Sequence, residues 1–238
     1  MGTAKVLVAG SSVAASQLKD LFRQIEDGSI THRRLQLFLD HQNPWDDSTL
    51  PDLDWRAVYE KLDLLTDLEK FLAENVTEET AENAETWVLP VLKGVTPNKV
   101  ITAMRELDVQ FYLYTDDLNK GVPINDRNPD NGSYLVRFVR TIEADVDLAN
   151  CSADQLAKNG VKGITLLERL LLELAYFLAT GEHLDVKNVT LCSGSRYSDG
   201  DVPYVHWSAG HRKVRVSWYS PGNARPFLRA RAIVSVPL

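Results

Sequence analysis

Residues 165–181 read TLLERLLLELAYFLATG, and this stretch decides the fold. Thr165 with Glu168 makes a capping box, in which the hydroxyl and the carboxylate each satisfy an orphan backbone donor of the first turn. Gly181 supplies the left-handed residue that closes a helix. Between them the helix is apolar nearly all round, with one polar stripe of Arg169, Glu173, Tyr176 and Thr180. A helix of that kind has no face to give to water, so it is expected to be a central core helix packed on a sheet.

Working outward, Ser152 and Gln155 form a second capping box for a short helix closed by Gly160. Downstream, the runs VKNVTLC, VPYVHW, RKVRVSWY and LRARAIVSV are β-branched and aromatic, and Ser-Asp-Gly, Ser-Ala-Gly and Pro-Gly-Asn turn signals separate them. This spacing predicts a four-stranded antiparallel meander. Upstream, VQFYLYT from Val109 and YLVRFVRTI from Tyr134 read as strands around a loop over 116–132. Before Val109 the pattern is helical. Leu18, Leu21, Phe22 and Ile25 recur at helical spacing, Thr31 caps a helix carrying Leu35, Phe38 and Leu39, and Asp54 opens a longer helix with Trp55, Val58, Leu62, Leu65, Leu68 and Leu72 on one stripe. Thr77 opens an acidic helix to about Glu85, and Thr96-Pro97 starts another that ends near Leu107. The expected architecture is α+β, with a helical region over 1–108 and an α+β region over 109–238.

Composition narrows the function classes. The 238 residues include 13 Gly and two Cys, 44% are hydrophobic and the net charge is −7, which excludes collagenous, disulfide-stapled and wholly disordered chains. Cys151 and Cys192 lack metal-ligand spacing, so a reducing, cytoplasmic setting is expected. The first fifteen residues have too short an apolar run for export, and Leu170–Ala179 is too short to cross a bilayer. Six Lys and Arg and no Asp or Glu fall in residues 211–238, so an acidic chain ends in a basic segment.

That segment supplies the main candidate site. Alternation places Lys213, Arg215, Ser217 and Tyr219 on one side of their strand and Arg229 and Arg231 on one side of the next. Shared on a single face, the four cations and Tyr219 would hold an anion such as an acidic protein surface or a nucleic acid, with the tyrosine stacking on a base. The alternative is a solvated face, or one covered by Glu143, Asp145 and Asp147. Those three carboxylates are also the candidate ligands of a divalent cation, since same-side carboxylates on a strand converge on a hard ion. No other cofactor is expected.

A hydrolase reading would combine Ser193 or Ser195 with His206 or His211 and Asp199 or Asp201. It lacks a G-x-S-x-G turn. Asp126, Asn128 and Asp130 open like a calcium loop, but Gly132 comes late and Arg137 stands where the closing Glu belongs. A third reading is a homo-oligomeric subunit whose acidic helices meet the basic strands of another copy.

The stretches GSITHRRLQLFLDHQNP (28–44), GITLLERLLLELAYFLATGEHLDVKNVTLCSGSRYSDGDVPYVHW (163–207) and RARAIVS (229–235) resemble an uncharacterised family of bacterial proteins found in candidate phyla. The resemblance implies a bacterial, cytoplasmic origin and one structural unit over 150–238. It implies no activity and no site residue.

Overall fold

A computed structural model describes residues 15–27, 30–41, 43, 50–75 and 85–234. The chain divides into two compact units, residues 1–47 and 48–238. In the first, α1 (Ala15–Glu26) and α2 (His32–Leu39) form where the apolar spacing puts them, and the Thr31 hydroxyl accepts from Arg34 N at 3.3 Å as the N-cap. The acidic helix expected from Thr77 lies outside the described residues.

The second unit is α+β, as the sequence indicates. Its helices are α3 (Trp55–Lys61), α4 (Leu65–Asn75), α5 (Pro97–Glu106), α6 (Leu118–Gly121), α7 (Ala153–Lys158) and α8 (Leu166–Thr180). Its strands are β1 (Thr86–Val91), β2 (Phe111–Leu113), β3 (Ile124–Asn125), β4 (Tyr134–Val139), β5 (Val189–Leu191), β6 (Ser195–Arg196), β7 (Val202–Ser208), β8 (Lys213–Tyr219) and β9 (Leu228–Ala230). The single long helix expected after Asp54 is two helices. Asp63 adopts a left-handed φ of 56° and Leu64 N returns to Tyr59 O, which ends α3 and lets α4 start in a new direction. Residues 86–91, TWVLPV, form a strand inside the region expected to be helical, and β1 pairs antiparallel with β4. The expected boundary at 108 therefore falls inside the second unit. The loop over 116–132 contains α6 and β3, and β3 pairs with β6.

The main sheet has the order β2-β8-β7-β5-β9. β5, β7 and β8 are antiparallel neighbours, but the last strand does not continue the meander beside β8. It crosses to the far edge and lies parallel to β5, with Val189 opposite Leu228 and Leu191 opposite Ala230. Both capping boxes form, on α7 and α8. α8 is buried along nearly its whole length, with the inner face of the sheet on one side and α3, α5 and β1 on the others, and Leu170, Leu171, Leu174, Val205, Val214 and Val216 share the main core. A second, smaller core lies on the sheet's outer face, where Ala153 and Leu156 of α7 cover Val189, Leu191, Val202, Tyr204, Leu228 and Ala230. Both cysteines are free thiols. Among the described residues no helix is long and apolar enough to cross a membrane.

Candidate ligand face and the buried ion network

The register of β7 and β8 assigns each side chain to a face. His206 lies opposite Arg215, Tyr204 opposite Ser217 and Ser208 opposite Lys213, all on the outer side; Val205 opposite Val216 and Trp207 opposite Val214 point inward to α8. α7 covers the part of the outer face carried by β5, β9 and the first half of β7, with Tyr219 packed at its margin. Over the rest, Arg215 is the organising residue: its Nε donates to Tyr204 Oη at 3.1 Å and its guanidinium carbon stands 4.3 Å above the ring of Tyr112. Both contacts fix a flexible cation in one place and leave its remaining donors unassigned. The Tyr204 and Tyr219 rings are 4.9 Å apart, and His206 lies 5.9 Å from Tyr204. Burial lowers the His206 pKa and the Arg215 charge lowers it further, so the imidazole is neutral at pH 7. Lys213 is exposed at the start of β8.

A cleft of about 350 Å³ opens on this face between residues 186–189, the end of β7 and Phe227. Its wall is held from behind: Glu143 accepts from the backbone N–H groups of Val186, Lys187 and Asn188 at 3.1, 2.9 and 2.8 Å, and from Asn188 Nδ2 at 3.0 Å. Three successive donors on one carboxylate make a rigid loop.

Arg229 and Arg231 do not join Lys213, Arg215 and Tyr219. Thr190 pairs with both Val205 and Arg229, so Arg229 of β9 points inward, the opposite side from Arg215, and Arg231 follows it just past the strand. Arg231 is fully buried; it donates to Thr141 O at 2.9 Å, Ile142 O at 2.7 Å and Asp185 Oδ1 at 3.1 Å. Arg229, partly buried, donates to Ala144 O at 3.1 Å. The expected single patch of four cations is replaced by two cations outside and two inside.

Nor do the acidic residues converge. Glu143 holds the 186–188 loop, Asp145 Oδ2 accepts from Ala232 N at 2.7 Å, and Asp147 is exposed on the single 3₁₀ turn Val146–Leu148. Among the described residues no group of three or more His, Cys, Asp or Glu side chains is placed to hold a metal ion. The hydrolase candidates are scattered likewise. Ser195 is buried, donating to Asn125 Oδ1 at 2.5 Å and accepting from Leu166 N at 2.9 Å. His211 pairs with Ser208 at 3.0 Å, Asp199 accepts from Asp201 N at 3.1 Å, and His206 is on the outer sheet face. Ser193 Oγ is buried with no hydrogen-bond partner.

The residues that sequence reading missed are the counter-ions. Arg169, Glu173, Asp185 and Arg231 are all fully buried. Arg169 bridges the two carboxylates, 2.7 Å to Glu173 and 2.8 Å to Asp185, while Asp185 also accepts from Ala144 N at 2.8 Å and from the Thr190 hydroxyl. The outer end of the chain is His183, whose Nδ1 lies 2.7 Å from Glu173 and whose ring stacks on Trp207 at 3.6 Å. Burial opposes ionisation of Asp185 and Glu173, but Arg231 and Arg169 around Asp185, and Arg169 and His183 beside Glu173, prevail and hold both carboxyls below their usual range. The signal was present in α8: Arg169 and Glu173 stand i, i+4 on a helix with no solvent face, so they had to pair inside.

No known family model matches the chain, and no curated protein or solved structure matches it.

Proposed function

We propose that this is a non-catalytic binding protein of the bacterial cytoplasm, whose outer sheet face captures an anionic partner, with single-stranded nucleic acid the favoured class. The observation that carries the reading is Arg215, fixed between Tyr204 and Tyr112 and partly exposed on the outer face beside α7. An immobilised guanidinium among aromatic rings suits a phosphate flanked by a base, since the cation answers the charge and the rings accept bases of any sequence. Exposed Lys213 adds a second cation on the same side. An acidic protein surface would use the cations but would leave the exposed ring of Tyr112 without a role.

The test is a titration against single-stranded oligonucleotides at several salt concentrations. Wild-type affinity is expected to fall as salt rises, and Lys213→Glu with Arg215→Glu is expected to abolish capture while circular dichroism stays unchanged. Unchanged affinity in the double variant would refute this reading. Arg229 and Arg231 are unsuitable for the test because they lie inside the fold.

A further inference from the structure

We infer that the cleft beside Phe227 seats the base of one nucleotide, either a free nucleoside monophosphate or the end unit of a strand; this rests on the reading of the outer face given above. Its volume, about 350 Å³, lies at the lower end of the range for small-molecule sites, which suits one flat ring with its sugar rather than an extended ligand. The lining is rich in aromatic rings and, apart from Lys187, uncharged. Tyr219 and His206, both partly exposed, line it together with an edge of the buried Tyr204, and Phe227, 44% exposed, completes the aromatic lining. A large aromatic left in solvent at the mouth of a cleft, on a loop whose backbone is pinned by Val189 N to Phe227 O at 3.0 Å, is placed to close over a ring rather than to fill a core.

The polar groups match a base better than a sugar or a simple anion. His206 is neutral, so it offers one donor and one acceptor. Asn188 spends its Nδ2 on Glu143, which orients the amide and leaves its Oδ1 as an acceptor for an exocyclic amine. No carboxylate lines the cleft among the described residues, and the exposed Lys187 at its rim supplies the charge for a phosphate. The triple hydrogen bond to Glu143 keeps this wall in place before any ligand arrives, so little ordering cost falls on binding.

Isothermal titration of the full chain with adenosine 5′-monophosphate, uridine 5′-monophosphate, ribose 5-phosphate, inorganic phosphate and a single-stranded hexanucleotide tests this. The two nucleotides are expected to bind and ribose 5-phosphate and phosphate are not. Phe227→Ala is expected to weaken nucleotide binding about tenfold, as loss of one stacking partner does, and Lys187→Glu to weaken it further, each with an unchanged melting temperature. Tighter binding of the hexanucleotide than of either monophosphate assigns the seat to a strand end; the reverse assigns it to a free nucleotide. Absence of monophosphate binding while the hexanucleotide still binds overturns the seat and leaves the outer face standing. Equal binding of ribose 5-phosphate, or an unaltered affinity in Phe227→Ala, overturns it as well. Monophosphate binding with no hexanucleotide binding upholds the seat and refutes the strand reading.

Discussion

Asp185 is the residue on which the inner side of the sheet depends. It sits at a left-handed φ of 54°, accepts from Arg169, Arg231, Thr190 and Ala144, and offers its own N–H to Ile142. Deleting its carboxylate strands two buried guanidinium groups, and the loss of one partner from a buried pair costs about 3–5 kcal/mol. Asp185→Ala is therefore expected to lose that much stability in urea denaturation, or to fail to fold, with Asp185→Asn less severe. The same carboxylate sets an acid limit. Asp185 and Glu173 titrate below their ordinary values of 3.8 and 4.5, so their contribution is complete above the unfolded-state values and is lost as pH falls through the folded ones. The wild-type melting temperature is expected to drop steeply below about pH 4, and a variant that folds with Asp185→Asn to drop less. Asp145 works in the opposite sense: burial raises its pKa, so its ionisation costs stability that protonation returns.

At the scale of elements, the approach of the 193–195 turn to the start of α8 is the tightest joint. A Cβ on Gly194 would stand 2.7 Å from Gly163 O, a backbone atom that cannot step aside, whereas one on Gly163 would strike the Ser193 hydroxyl, which can rotate. Gly194→Ala is expected to destabilise more than Gly163→Ala, and Ser193→Gly to rescue only the latter; thermal melts of the three variants decide it. Elements of this kind divide into those the sequence announces and those it does not. α7 and α8 were legible because a capping box is a local device, and the β7–β8 hairpin because alternation and a tight turn agree. β1 was not, since TWVLPV is a short apolar run without alternation and contains a proline, and its stabilising partner β4 lies some fifty residues on. The α3–α4 break was hidden because one apolar stripe runs through both. The most consequential misreading was the face of Arg229 and Arg231. It depends on whether the last strand neighbours β8 or β5, and that is settled by parallel pairing across the sheet rather than by any local pattern. For the candidate site the outcome is mixed: Lys213, Arg215 and Tyr219 share a face as alternation requires, while Tyr112, Tyr204, His206 and the cleft carry no sequence signature.

For the molecule as a whole, the two units differ in what they bury. Among the described residues α1 buries no side chain, whereas the second unit holds two cores. The basic end of the sequence also looks different at this scale. Of its six cations, Arg231 is buried, Arg229 is partly buried and Arg215 is held between tyrosines, so Arg212, Lys213 and Arg225 are the ones exposed to solvent, with Arg225 donating to Ala224 O at 3.3 Å. Finally, the two borders of the main sheet are three-residue strands, β2 and β9, and the carbonyls of Leu228 and Ala230 on β9 are already taken by Asn150 N and Asp145 N. The β9 border, that short and with those acceptors spent, gives an incoming chain little template to copy, so edge-to-edge polymerisation gains no foothold on that side of the main sheet.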